Sequence, residues 1–283
     1  MLIAAGAVAA ERFWMDSRPI GVFDSGLGGL TTVKKLAEFM PNEEIIYLGD
    51  TGRVPYGSRS EKTIIKYAGQ DAAFLAGFDI KAMVIACNTV CSTAYNILEN
   101  AYNIPVYEVV RTPSKAAALL TKNGKIGVIG TTATIRSGAY EKALREVSPE
   151  SIVTSVPCPL FVPLVENGRI NDDDPAVMAI AGDYLGPILE SGSDTLVMGC
   201  THYPLLRSAI SKILGPGIAL IDSGEETAKH VAEDLAARDM LSEKDTQGTI
   251  RYYVTDSAEG FSQLASRYLE ADVRGKVEQV ELE

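Results

Sequence analysis

Nowhere in the chain do about 18 apolar residues follow one another, so no membrane-spanning helix is expected. Positive charge is also scarce. Against 37 Asp and Glu stand 26 Lys and Arg, a net charge of −11 without any basic run, which argues against a nucleic-acid partner. There are two histidines, His202 and His230, and four cysteines, Cys87, Cys91, Cys158 and Cys200. No C-x-x-C pair or clustered histidine is present, so a zinc or redox site built on Cys87, Cys91 and Cys158 is disfavoured. Cysteines that follow apolar runs without close partners fit a reducing compartment, and the cytoplasm is the expected location. The apolar opening Met1–Ala10 lacks a basic segment before it and runs into Glu11 and Arg12, so it is not read as a secretion signal. Foldable patterning begins near Arg18, and residues 1–15 are read as an N-terminal extension.

What is present is a regular alternation of short apolar runs and helical patterns. The runs are Ile20–Phe23, Ile45–Leu48, Ala82–Ala86, Ile104–Tyr107, Ile126–Ile129, Ile152–Val156, Thr195–Met198, Ile218–Ile221 and Tyr252–Thr255. Between them, Ile64, Ala68, Ala72 and Leu75 fall on one helix face, Thr112-Pro113 reads as an N-cap with proline at the first helical position, and Ser223 with Glu226 reads as a capping box. This pattern predicts an α/β fold with mostly parallel sheets.

The segments also recur. Ile20-Gly21-Val22-Phe23 returns as Ile126-Gly127-Val128-Ile129, and Ile45-Ile46 returns as Ile152-Val153. Val84-Ile85-Ala86-Cys87-Asn88-Thr89 matches Val197-Met198-Gly199-Cys200-Thr201, and Ile104–Glu108 matches Ile218–Asp222. Four matched segments in the same order imply two pseudo-symmetric α/β domains, whose strand-end loops face one another across a cleft. The expected division is 16–111 with 222–283 as the first domain and 112–221 as the second.

The duplication places Cys87 opposite Cys200. Inverting a carbon stereocentre requires taking a proton from one face and delivering one to the other, and a thiol, which ordinarily titrates near about 8.5, can do either near neutral pH. A lone cysteine after a buried strand is usually a small apolar filler. A matched pair, each followed by Thr or Asn-Thr at a helix start, favours proton chemistry beside an anion site. The loop Asp24-Ser25-Gly26-Leu27-Gly28-Gly29 opens a helix at Leu30 or Thr31 and lets backbone approach an anion closely. Thr31 breaks the G-x-G-x-x-G pattern, so no dinucleotide fingerprint is read there.

In combination, Asp24-Ser25-Gly26, Gly49-Asp50-Thr51, Val54-Pro55-Tyr56-Gly57, Ala86-Cys87-Asn88-Thr89, Phe161–Glu166 and Gly199-Cys200-Thr201-His202-Tyr203-Pro204 resemble the glutamate racemases of the aspartate/glutamate racemase family. Val90-Cys91, where Ala-Ser is usual, and Gly52, where Ala is common, depart from the family pattern without touching a proposed catalytic group. The resemblance implies Cys87 and Cys200 as the proton donors and acceptors, assisted by Asp24 on one side and by Glu166 and His202 on the other. It further implies substrate contacts from Asp24, Ser25, Tyr56, Gly57, Asn88, Thr89, Thr201 and His202, with Thr131 and Thr134 added from their loop. Cofactor-independent catalysis, no metal, a homodimer and a role in peptidoglycan synthesis, and hence in cell wall and cell shape, are implied in the same way. His230 and Cys158 are read as structural. Two other readings stand beside this one: a sister two-cysteine racemase acting on aspartate, and an anion-binding regulatory protein without turnover. A pyridoxal enzyme has no lysine in a suitable motif.

Overall fold

The computed structural model describes residues 16–269 and 271–282. The extension expected over residues 1–15 lies outside the described residues. Two sheets organise the chain. The larger contains β1 (Ile20–Asp24), β2 (Ile45–Gly49), β3 (Ala82–Ile85), β4 (Val106–Glu108), β9 (Ile250–Val254) and β10 (Val277–Gln279), in the order β10-β9-β2-β1-β3-β4. The smaller contains β5 (Lys125–Gly130), β6 (Ile152–Pro157), β7 (Thr195–Gly199) and β8 (Ala219–Asp222), in the order β6-β5-β7-β8. The arrangement β2-β1-β3-β4 is thus repeated as β6-β5-β7-β8, as the recurring segments imply. Every described strand pairing is parallel, so the sheets are more uniform than the "mostly parallel" of the sequence reading.

The central strands β1, β2, β3 and β7 are buried along their whole length, which explains their near-continuous apolar sequences. The helices that cover the sheets are α1 (Leu30–Phe39), α2 (Glu61–Ala76), α3 (Asn88–Ala101), α4 (Arg111–Leu120), α5 (Thr132–Ser137), α6 (Ala139–Val147), α7 (Phe161–Glu166), α8 (Pro175–Ser191), α9 (Arg207–Leu214), α10 (Ser223–Ala237) and α11 (Ala258–Leu269). Ile64, Ala68, Ala72 and Leu75 are the buried stripe of α2, and α1 begins at Leu30.

Two helix starts differ from the sequence reading. The α4 helix begins at Arg111, before Thr112, because the Glu108 carboxylate accepts from the N–H groups of Val110 and Arg111 at 2.6 and 2.7 Å. At α10 the cap is Asp222, which accepts from Gly224 and Glu225, and Ser223 is the first helical residue. The chain leaves the larger sheet after β4 and returns through α10, which packs on α1 and α4. These two crossings touch, since the Thr227 hydroxyl donates to the Glu108 carbonyl at 3.4 Å. At the opposite, amino-terminal ends of the strands, buried Lys81 donates to the carbonyls of Asp16 and Met240 and lies 2.6 Å from the Glu43 carboxylate. Among the described residues no helix is long and apolar enough to cross a membrane.

Candidate active site

The loops beyond the carboxyl ends of β1, β2, β3, β5, β6 and β7 line one cavity of about 170 Å³. That is below the roughly 300–1,000 Å³ of drug-sized pockets and suits a single small metabolite. Both repeated cysteines open onto it. Cys87 stands at the N-cap position of α3, two residues after β3, Cys200 follows β7, and each is only 5% exposed. Equivalent positions in the two sheets therefore bring two thiols to one cavity.

Their surroundings differ. The Cys87 thiol lies 3.5 Å from the Ser25 hydroxyl. Burial pushes it up to about 12, reinforced by the charge of Asp24, while Ser25 and the Val90 N–H pull the other way. Asp24 itself is fully buried, and burial raises its pKa against the opposing pull of His202 and of the backbone N–H groups. It accepts from Gly26 and Gly29 at 3.1 and 3.0 Å and receives the Thr201 hydroxyl at 3.5 Å. Asp24 is not a lining residue; it stands behind the wall that Ser25 and Thr201 form.

Cys200 has an imidazole beside it, His202 Nδ1 at 3.9 Å. On the far side of the ring, Nε2 stands 3.4 Å from Glu166 Oε1, within ion-pair range but outside hydrogen-bond geometry. Burial opposes a charged imidazole, yet Cys200, Glu166 and Asp24 together lift its pKa to about 10. The segment is fixed by close packing on the glycine loop. A Cβ on Gly28 would fall 2.5 Å from His202 Nδ1 and closer still to Thr201 Oγ1. The Thr31 hydroxyl, meanwhile, donates to the Thr201 carbonyl at 3.0 Å.

The remaining expected contacts divide by where their polar atoms go. Ser25, Gly57, Thr89, Thr131 and Thr201 line the cavity, and Thr89 and Thr131 meet across it with their hydroxyls 3.0 Å apart. Thr134 is buried behind Thr131, its hydroxyl 3.0 Å away, and does not line the cavity. Tyr56 lines the cavity, but not with its hydroxyl. Its hydroxyl turns into a buried cluster, donating to Asp50 and lying 3.1 Å from Asp71, with Arg53 bridging both carboxylates. Asn88 lines the cavity too, but Tyr140 and Ser223 take its amide oxygen and nitrogen.

Val54, Pro55, Val162 and Pro163, which carry no chemistry that a motif would flag, supply an apolar wall, and Cys158 joins the lining. Cys158 is a buried thiol whose pKa burial raises, and Cys91 is held between the Ile85 carbonyl and the Val109 N–H, away from the cavity. His230 is exposed and packs edge-on against Tyr107.

Comparison with known proteins agrees with this geometry. The family model for Asp/Glu/Hydantoin racemase matches residues 31–231. A glutamate racemase of Geobacter metallireducens is 45% identical over 95% of this chain and 98% of its own. Among solved structures, a Bacillus anthracis glutamate racemase isoform superposes with a TM-score of 0.90 at 39% identity, covering 94% of this chain and 98% of that one. The Francisella tularensis glutamate racemase, solved in complex with D-glutamate, gives 0.88 at 38% identity, covering 95% and 99%. The chain belongs to the Asp/Glu/hydantoin racemase family, within its glutamate racemase branch.

Proposed function

We propose that this chain interconverts L- and D-glutamate by passing protons between Cys87 and Cys200 on opposite faces of Cα. The observation that carries the reading is the pair of thiols at equivalent strand ends of a duplicated fold, both opening onto one small cavity. One cysteine, as thiolate, takes the Cα proton. The carbanion then takes the proton of the other thiol on its opposite face, which leaves the second sulfur as thiolate and the first as thiol. Asp24 serves the Cys87 side by accepting the thiol proton as that cysteine becomes a base, whereas His202, held protonated between Cys200 and Glu166, serves the Cys200 side by stabilising its thiolate. Ser25, Thr89, Thr131 and Thr201 supply hydroxyl donors for the substrate carboxylates, which suits an acidic chain without a basic cluster. The ammonium group of the bound amino acid adds positive charge near Cys87 and favours its thiolate over the protonated state that burial imposes.

In this reading, residues 16–111 with 222–283 and residues 112–221 form the two domains that close on the substrate. The protein works in the cytoplasm as a homodimer without a cofactor, and its product, D-glutamate, serves cell-wall synthesis. The test is incubation with L-glutamate in D₂O without added cofactor, following optical rotation and Cα deuteration beside Cys87→Ser and Cys200→Ser. Racemisation with deuterium uptake that both substitutions abolish is the expected result. Retained racemisation in either variant would overturn the two-thiol reading.

A further inference from the structure

Outside the chemistry just assigned, one buried side chain touches the carriers of both thiols. Tyr140, the second residue of α6, is 1% exposed. Its hydroxyl lies 2.6 Å from Asn88 Oδ1 and 2.9 Å from the Val109 carbonyl. Asn88 Nδ2 in turn donates to Ser223 Oγ at 3.3 Å. The ring of the same tyrosine lies against Gly199, where a Cβ would fall 2.7 Å from Tyr140 Cε2. Asn88 directly follows Cys87, and Gly199 directly precedes Cys200. Val109 marks the departure of the chain from the larger sheet and Ser223 its return, so the phenol also sits where the two crossings meet.

We infer that Tyr140 is a positioning residue for both bases, its hydroxyl holding the start of the Cys87 helix while its ring seats the strand end that carries Cys200. Two thiols that serve opposite faces of one carbon tolerate little change in separation, because misplacement of about 1 Å can cost about a hundredfold in rate. The ring alone fills the volume against Gly199. The hydroxyl is what reaches across to Asn88, so the two contributions can be separated.

The inference rests on the two-thiol reading and is tested with Tyr140→Phe in the full chain. With the fold verified by circular dichroism, kcat should fall about tenfold or more while KM changes by less than about threefold, because the substrate-contacting hydroxyls are untouched. Cα deuteration in D₂O should slow in step with kcat. Wild-type kcat overturns the inference, even with a lowered unfolding temperature, and so does a change confined to KM. Should Tyr140→Phe not fold, Ser223→Ala removes the acceptor that holds the other end of the same Asn88 amide and is judged by the same criteria. Loss of activity in Cys87→Ser and Cys200→Ser beside wild-type kcat in Tyr140→Phe would refute this inference alone, whereas activity in either serine variant would refute the reading beneath it.

Discussion

His202 stands between a sulfur and a carboxylate, with Nδ1 3.9 Å from Cys200 and Nε2 3.4 Å from Glu166, whereas Cys87 across the cavity is served by Ser25 at 3.5 Å and by buried Asp24. The two thiols are matched in position and unmatched in surroundings. His202→Asn, which keeps a polar group of similar reach, should lower kcat by about 10²-fold, the lower end of what positioned proton transfer contributes. Cα deuteration should then proceed at unequal rates from L- and D-glutamate. Equal residual rates from the two enantiomers would separate His202 from the Cys200 half of the reaction.

The same histidine makes stability depend on pH. The folded protein holds its proton up to about pH 10, while an unfolded imidazole releases it near its ordinary value of 6.5. Between those values the folded state binds more protons, so this contribution is complete below about pH 6.5 and is lost as pH rises toward 10, at up to about 1.4 kcal/mol per pH unit. Cys87, pushed up to about 12, acts with the same sign, but only above the ordinary thiol value of 9.0. Urea unfolding at pH 6, 8 and 9.5 should show wild type losing stability relative to His202→Asn. A constant difference would refute the raised histidine.

Gly28→Ala tests the packing between the two halves. The added methyl has no room beside Thr201 and His202, and the neighbours it meets are short or ring side chains at the cavity wall. Overpacking of this kind costs about 1–3 kcal/mol. Displacing His202 should lower kcat/KM by about a hundredfold. Steady-state kinetics beside a thermal melt separates the two effects, and near-wild-type turnover would show that the segment yields without consequence.

Tyr56 shows how the cavity wall is held from behind. Tyr56→Phe keeps the ring but leaves the buried Asp50 carboxylate short of a donor, at a cost of about 1–3 kcal/mol in urea unfolding. The loop through Gly57 loses its anchor, so KM for glutamate should rise while kcat changes little. An unchanged KM would mean that Arg53 alone fixes the loop.

Lys81→Met should be costly for stability and neutral for catalysis. It leaves Glu43, itself 4% exposed, without its cation, and breaking a buried pair costs about 3–5 kcal/mol. The pair lies at the strand ends away from the cavity, so kcat/KM measured below the unfolding transition should match wild type. A large kinetic defect in the folded variant would contradict that separation.

How much of this was legible in the sequence depended on what stabilises each element. Strands such as Ile20–Asp24 and Thr195–Gly199 announce themselves because burial on both faces requires unbroken apolar runs. The strand Val277–Gln279 escaped, since it is short, mostly exposed and held by backbone pairing to β9. The α4 start was misplaced because its capping carboxylate, Glu108, lies upstream at the end of a strand, whereas Thr112 offered a familiar local pattern. Cys87 and Cys200 could be paired from the repeat alone. No local pattern could link Tyr140 to Asn88, 52 residues earlier, or reveal that the Tyr56 hydroxyl points away from the cavity.

The order of strands has a consequence during synthesis. β2 lies between β1 and β9, but β9 is encoded only after the entire smaller sheet. At about 5–20 residues per second, the ribosome takes roughly 10–40 s to deliver the missing neighbour. Throughout that interval Ile45-Ile46-Tyr47-Leu48 is an unpaired, strongly β-prone edge on the nascent chain. Yield from an overexpressing host should therefore track the supply of chaperones that shield such edges, even though the finished protein buries this strand completely.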